Sequence, residues 1–507
     1  MNKNLQYSVF ITLIYAILTL ICVLYHETWT DEVQVWQLCK YLNPIQLISH
    51  LHNEGHPSFF YFLVMPFAKL FGNIIFMQLI CWLASCLSVF LLLYFSPFKL
   101  ITNLFIISGA GFIYFFPVIA RSYSILPFLI FLAAILHTKR KEHMIIYSIV
   151  MVLLANTHII MFGFVFIIML LLITDILRNK FGKVKLSYFI SAFIILLGLL
   201  FVILQLYDTG SSNSFIKPNF FNIVFHSKQV LSTFITESYS QYIFRTNLKL
   251  SFIDYSVILV MILNFIIIFV NLYLNSKKIF LIAFASIAFQ LLVYVIAYPN
   301  IIYPTRIYSA YLIIVFCFWI LIDSKSVQEN KKICSTIAIN IIVSIMFLLT
   351  VSNGIKSYIL DININYSSAK QLAQYIENNI NPDSSIILTE HEPFTLPVVY
   401  YLNNKYKLIS LVRENDNELK YIKWDTDTIT VLKPLSWLNG AYLYSKQYNN
   451  KDIYIIRNNI NESDSYNSLF NEYFTLIFEA DKSMLPYEKY MIYKFEKNKI
   501  DNIKIIK

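Results

Sequence analysis

Apolar runs of about 18 or more residues recur through the first 350 positions, each long enough as a helix to cross a roughly 30 Å hydrocarbon core. The 507-residue chain is 57% hydrophobic and 14% charged, where a soluble domain carries about 25% charged residues. These properties point to a polytopic membrane protein. After residue 353 the long runs stop. Lys3 precedes the first run, but "LICVLYHETW" contains no small-x-small cleavage site, so a retained first span is expected rather than a secretory signal. The formal net charge is +10. Its Lys and Arg fall in short clusters between apolar runs instead of on one surface, a pattern of membrane orientation and not of nucleic-acid binding. Cys22, Cys81, Cys86, Cys317 and Cys334 lie in or beside apolar runs and Cys39 in an expected loop, with no disulfide framework or metal-knuckle spacing.

Basic clusters mark the cytoplasmic side, because Lys and Arg are held back during insertion. They are Lys139-Arg140-Lys141, Arg178 with Lys180, Lys183 and Lys185, Lys277-Lys278, and Lys325 with Lys331-Lys332. Spans are expected near 122–138, 144–158, 160–177, 186–206, 256–274, 279–298, 307–322 and 333–351. Upstream, runs at 7–25, 59–71, 74–95 and 101–117 would leave Arg121 on the wrong face if all four crossed. The run 59–71 is short and contains Pro66, which removes a backbone donor where lipid cannot replace it, so it reads as a juxtamembrane or re-entrant helix. Eleven spans result, with the N-terminus inside. The expected organisation is a membrane domain over 1–352 and an extracytoplasmic α/β domain over 353–507, with the 207–255 loop also outside. In the latter, Tyr366, Ala369, Leu372, Ala373, Ile376 and Ile380 share one helical face, and "SIILTE", "YKLISLV" and "KDIYIIRN" read as strands.

This topology gathers polar motifs at one outer mouth: "TDE" at 30–32, "EGHP" at 54–57, "ARSYS" at 120–124, "NTH" at 156–158 and "YPTRIY" at 303–308. A charge at membrane depth is costly, about 2.5–3.5 kcal/mol on insertion scales, so Arg121 and Arg306 need an anionic partner or water. A lipid-phosphate donor fits. Arg121, His56 and Arg306 could hold its phosphate, since a guanidinium matches phosphate oxygens and steadies charge on a leaving group. Asp31 could then take the proton of an acceptor hydroxyl, with Glu32 or Glu54 orienting it, raising its pKa or binding a divalent metal.

The motifs "TDEVQVW", "EGHPSFFYFL" followed by "LFG", and "ARSYSILPFLIFLAAIL" resemble the GT-C class of polyprenyl-phosphate-sugar glycosyltransferases. The resemblance is to bacterial family 39 members similar to protein O-mannosyltransferases and lipid A aminoarabinose transferases, and it covers roughly the first 180 residues plus the general plan. It implies that Asp31 is the catalytic acid of the first outer loop with Glu32 as its neighbour. It places Glu54, His56 and Pro57 in an acid-x-His-Pro element and Arg121 and Tyr123 in an Arg-x-Tyr element, for substrate contact. It also implies direct displacement with inversion. Ser58 and Ser122 depart from prolines common in that family, leaving sugar and acceptor open, and the outer β-trefoil of eukaryotic members has no counterpart.

Each motif has a plainer reading. An Asp-Glu pair is ordinarily solvated or caps the following helix; a His before Pro57 starts a helix; an interfacial Arg anchors to headgroups. His158 and Arg306 enter on topology alone. "DTD" at 425–427 is a chance-level match to a metal clamp, "EHE" at 390–392 reads as a surface loop, and the small residues of "SGAGF" at 108–112 allow close helix packing. The expected partners are a polyprenyl-phosphate sugar, an acceptor glycan, lipid or protein, and membrane lipids. No cofactor is required, and a divalent metal stays an open alternative. The competing reading is a flippase for a lipid-linked saccharide, which calls for Gly/Pro-interrupted spans in two related halves; the chain has 10 Gly and no such symmetry.

Overall fold

The computed structural model describes residues 3–178, 186–207, 227, 230, 252–297, 304–325, 332–389, 392–403, 405–411, 419–424, 434–448, 450–458 and 471–502. Residues 208–226, 228–229 and 231–251 of the expected outer loop, "DTD", Glu390, His391, Tyr303, Lys180, Lys183, Lys185 and Lys331 lie outside them. The chain forms two compact units. One contains the residues up to Leu24 and those from Asn43 to Ile359; the other contains Tyr25–Leu42 together with the chain from Leu360 onward.

Eight helices among the described residues are long and apolar enough to cross a membrane: Asn4–Tyr25, Ile75–Phe95, Ile159–Leu177, Leu186–Leu206, Tyr255–Asn275, Lys277–Ile296, Arg306–Ser324 and Thr336–Asn363. Eight of the eleven expected runs therefore appear at full length. Helices satisfy their own backbone hydrogen bonds, the requirement that lipid imposes. The three shorter runs end at polar or glycine-rich motifs. Leu126–Thr138 starts just after Arg121-Ser122-Tyr123, Met144–Ala155 stops at Asn156, and Leu100–Ser108 gives way at Gly109 to a π-helical turn, Gly111–Phe115. The run with Pro66 is one 12-residue helix, Phe59–Leu70. The Arg306–Ser324 helix is the hub, 89% buried against 22–56% for the other seven.

Small residues set the closest approach. A Cβ on Gly354 would lie 2.7 Å from the Ala110 Cα, and one on Gly109 would lie 2.6 Å from the Phe347 ring. Thr350 Oγ1 seals this seam by accepting the Ala110 N–H at 3.1 Å. Gly354→Ala is therefore expected to destabilise the protein by about 1–3 kcal/mol through overpacking, although alanine favours a helix by about 1 kcal/mol. A lower Tm of the detergent-solubilised variant checks this; an unchanged or higher Tm contradicts the close contact.

The second unit is α/β. Its five strands lie in the order β2-β1-β3-β5-β4, with β1 Ser385–Thr389, β2 Leu408–Ser410, β3 Asp452–Asn458, β4 Phe474–Glu479 and β5 Tyr490–Phe495. β1 pairs in parallel with β2 and β3, while β5 runs antiparallel to β3 and β4. Ile386, Leu388, Ile409, Ile453 and Ile455 form one apolar face with Trp437, Leu438 and Ala441 of helix Pro434–Gln447. The helix Ala369–Asn379 buries Ala369, Leu372, Ala373 and Ile376, flanked by buried Tyr366 and Ile380, the face that the sequence spacing predicts.

The same unit contains helix Thr30–Tyr41, which corrects the expected loop position of Cys39: that cysteine is helical and fully buried. Nine of its 12 residues are buried, polar Glu32, Gln34 and Gln37 among them, so no amphipathic stripe announces the helix. Gln34 binds the backbone of Ile422 on both sides, donating to its carbonyl at 2.9 Å and accepting its N–H at 2.8 Å.

Candidate functional site

A buried basic cluster occupies the first unit. Helix Pro44–Glu54 begins with a capping box, in which Asn43 accepts the N–H groups of Ile45 and Gln46 and Gln46 returns a bond to the Asn43 backbone. It ends at Gly55, whose φ of 67° is the left-handed conformation that glycine supplies without steric penalty. That turn delivers His56. Ser58 N–H donates to Gln205 Oε1 at 2.8 Å, Gln205 Nε2 donates to Asn156 Oδ1 at 3.1 Å, and Phe59 N–H donates to the Asn156 carbonyl at 3.0 Å. The "GHPS" loop is thereby fixed to the Met144–Ala155 and Leu186–Leu206 helices.

Arg121 Nη2 donates to His56 Nε2 at 3.0 Å. A guanidinium only donates, so His56 must accept there and carry its proton on Nδ1. Burial first, then the Arg121 and Arg306 charges, hold His56 well below its ordinary pKa, in agreement with a neutral ring. His158 is the opposite tautomer: Nδ1 accepts the Ile160 N–H at 3.1 Å, which leaves Nε2–H to donate to the Tyr123 hydroxyl at 3.0 Å. Arg306 Nε donates to the same oxygen at 2.7 Å. With both lone pairs of the phenol engaged, its O–H is the remaining donor. His56 and His158 lie with ring centroids 4.7 Å apart, and Tyr123 and His158 4.6 Å apart.

The structure thus brings together His56, Arg121, Tyr123, His158 and Arg306 from four separate stretches of chain, all buried. Arg306 sits in the first turn of its helix, where the macrodipole disfavours a cation. Guanidinium and helix end together present a positive, donor-rich surface suited to an anion. Glu54 is placed differently: it ends its own helix and pairs with His50, one turn back, at 3.2 Å. Gln205 was not singled out from sequence, though a lone amide in an apolar run is a signal of its own.

Asp31 and Glu32 belong to the second unit, in the first turn of helix Thr30–Tyr41. Asp31 is half-buried and Glu32 fully buried. Glu32 Oε2 lies 3.2 Å from His26 Nε2, and Asp361 Oδ2 lies 2.7 Å from His26 Nδ1. Burial opposes the imidazolium, but the Asp361 and then the Glu32 carboxylate outweigh it and push His26 up to about 10. A raised histidine stabilises the fold fully below its unfolded value of about 6.5 and loses that contribution as pH rises through about 10. Glu488 Oε1 accepts the Thr30 N–H at 2.9 Å, and Thr30 Oγ1 donates to the Pro393 carbonyl at 2.9 Å. Burial pushes Glu488 up to about 7. Among the described residues, no group of three or more His, Cys, Asp or Glu side chains is arranged to hold a metal.

Fold and side chains define a class: an α-helical polytopic membrane protein with an appended α/β unit and a buried, donor-rich cationic site at the ends of its helices. No family model matches the chain, and no curated protein matches it. Among solved structures it is similar to ArnT from Cupriavidus metallidurans bound to undecaprenyl phosphate, at 11% identity and a TM-score of 0.53, over 96% of this chain and 98% of that one. The apo state of the same protein matches at 10% identity, a TM-score of 0.53 and the same coverage. The chain therefore has this fold over nearly its whole length, the GT-C-like architecture that its motifs led us to expect.

Proposed function

We propose that the protein is an integral-membrane glycosyltransferase that moves a sugar from a polyprenyl-phosphate donor to an acceptor hydroxyl on the outer side of the membrane, with inversion. The observation that carries this reading is the cluster of Arg121, Arg306, His56, His158 and Tyr123, in a fold shared with a protein solved with undecaprenyl phosphate. Two buried guanidiniums and a phenol O–H suit a phosphate that gains negative charge as its bond to the sugar breaks.

In this scheme Asp31 removes the proton of the acceptor hydroxyl while that oxygen attacks the anomeric carbon. The sugar–phosphate C–O bond breaks on the opposite face, and polyprenyl phosphate leaves with the bonding pair. Arg121, Arg306 and Tyr123 hold the departing phosphate, while His56 and His158 fix the directions of these donors. Glu54, through its pair with His50, borders the "GHPS" loop as a further substrate contact. The acceptor is a glycan, a lipid or a protein, and the α/β unit lies outside the cytoplasm.

The test uses the polyprenyl-phosphate sugar fraction and the acceptor-bearing envelope fraction of a strain lacking the gene, incubated together with the purified full chain in lipid nanodiscs. Release of polyprenyl phosphate, with loss of one lipid-linked sugar from the fraction, is expected. A fraction that returns unchanged, together with no binding of undecaprenyl phosphate to the protein, would sink the proposal.

A further inference from the structure

Around the Asp31-Glu32 pair, the second unit holds a set of buried groups that the scheme above leaves without a task. His26 has both ring nitrogens on carboxylates, Asp361 Oδ2 at 2.7 Å and Glu32 Oε2 at 3.2 Å, and the three side chains are shielded from solvent. Carboxylate oxygens accept, so both nitrogens must donate and the ring is an imidazolium. Tyr366 packs edge-on against it with centroids 4.6 Å apart, and Trp29 packs against Tyr366 at 6.1 Å. Asp361 stands 335 residues from His26 along the chain, so the chain of contacts ties the 25–42 segment to the start of the C-terminal region. A second tie acts one residue before Asp31: Glu488 caps the Thr30 N–H from 458 residues away. A third joins Thr28 Oγ1 and the Tyr401 hydroxyl at 3.1 Å.

Neighbouring residues on a helix point about 100° apart. Glu32 therefore turns inward to His26 while Asp31, half-buried, faces another way. Taking a carboxylate and an imidazolium out of water is unfavourable unless the geometry is good, and in some proteins such buried ionic groups fix one arrangement among alternatives. Here the arrangement fixed is the first turn of Thr30–Tyr41.

We infer that His26 and Asp361 are positioning residues: the Asp361–His26–Glu32 chain, with Glu488 on the Thr30 N–H, locks the first turn of this helix and so sets the direction in which Asp31 presents its carboxylate to the acceptor hydroxyl. The inference rests on the proposed role of Asp31 as the base. It assigns the two adjacent acids different work, with Asp31 toward the substrate and Glu32 toward the clamp, and it gives Asp361 and Glu488 of the C-terminal region a part in catalysis without a contact to the sugar.

The test compares His26→Gln, Asp361→Asn, the double variant and Asp31→Asn in full-length protein, on the lipid-linked sugar fraction described above. A misplacement of about 1 Å at a reacting group lowers rate by up to about 10²-fold. His26→Gln and Asp361→Asn are each expected to lower kcat by about 10- to 100-fold, with KM for the donor within about threefold, the signature of an interaction made in the transition state. The double variant should be no worse than the poorer single one, because the two residues act through one chain of contacts. Parent kcat in either single variant, or a raised KM at parent kcat, overturns the positioning role while an inactive Asp31→Asn leaves the base in place. Parent activity in Asp31→Asn removes the underlying reading instead. If His26→Gln fails to accumulate, the isosteric Asp361→Asn carries the test; if neither accumulates, the contacts serve folding and the inference is overturned.

Discussion

Asp31→Asn is expected to lower donor turnover by about 10²- to 10⁴-fold, the span that loss of a positioned general base covers. The substitution keeps the size and shape of the side chain and removes only its basicity. Asp31 is half-buried in the first turn of its helix, so the asparagine does not leave a fully buried orphan group, and asparagine is tolerated where a helix begins. Glu32 cannot take over, because its carboxylate is engaged by His26. Binding of undecaprenyl phosphate should persist, since the proposed phosphate donors are other residues. Initial rates of polyprenyl phosphate release from wild type and variant in matched nanodiscs measure the effect. A variant within threefold of wild type shows that the proton is taken elsewhere.

What the sequence revealed of the fold depended on how local each signal is. Spans such as Lys277–Ile296 are legible because about 20 consecutive apolar residues leave few alternatives. β1 is legible for a similar reason: five buried residues follow the "NPDS" turn. β4 and β5 are less so, since β4 is largely exposed and its register with β5 shifts between Leu476 and Phe478, which breaks the alternation that a strand shows in sequence. Helix Thr30–Tyr41 is buried on nearly all sides by groups distant in the chain, and periodicity carries no trace of that.

The site divides in the same manner. His56, Arg121 and Tyr123 stand in motifs whose residue types and order point to one another, and the structure joins Arg121 to His56 directly. His158 and Arg306 were reachable only through the topology that put the span ends together, and both meet Tyr123. His26 was visible as a histidine at the end of a span, but nothing near Asp361 or Glu488 signals that they come to it and to Thr30. Ties that bridge hundreds of residues have no local spacing to read.

Arg306 is the stronger test of the phosphate role because its sequence case rested on topology alone. Arg306→Met is expected to lower turnover by about 10²- to 10³-fold, the loss found when one donor to a developing oxyanion is removed. Methionine has an unbranched, adaptable side chain that fills irregular space, and the Arg306 main chain is held independently, its carbonyl accepting from Tyr294 at 2.8 Å and from Ser309 at 2.5 Å. The substitution removes the Nε–H on the Tyr123 oxygen, leaving His158 as the donor identified there. Tyr123 is then freer to rotate, and its O–H is no longer aimed. Arg306→Lys separates charge from aim: lysine restores the cation but not the planar fork, so turnover about tenfold below wild type is expected. If the lysine variant equals wild type, charge alone suffices and the Tyr123 contact has no catalytic consequence. If the methionine variant also equals wild type in both rate and undecaprenyl phosphate binding, the buried cationic cluster is structural and the phosphate must bind elsewhere.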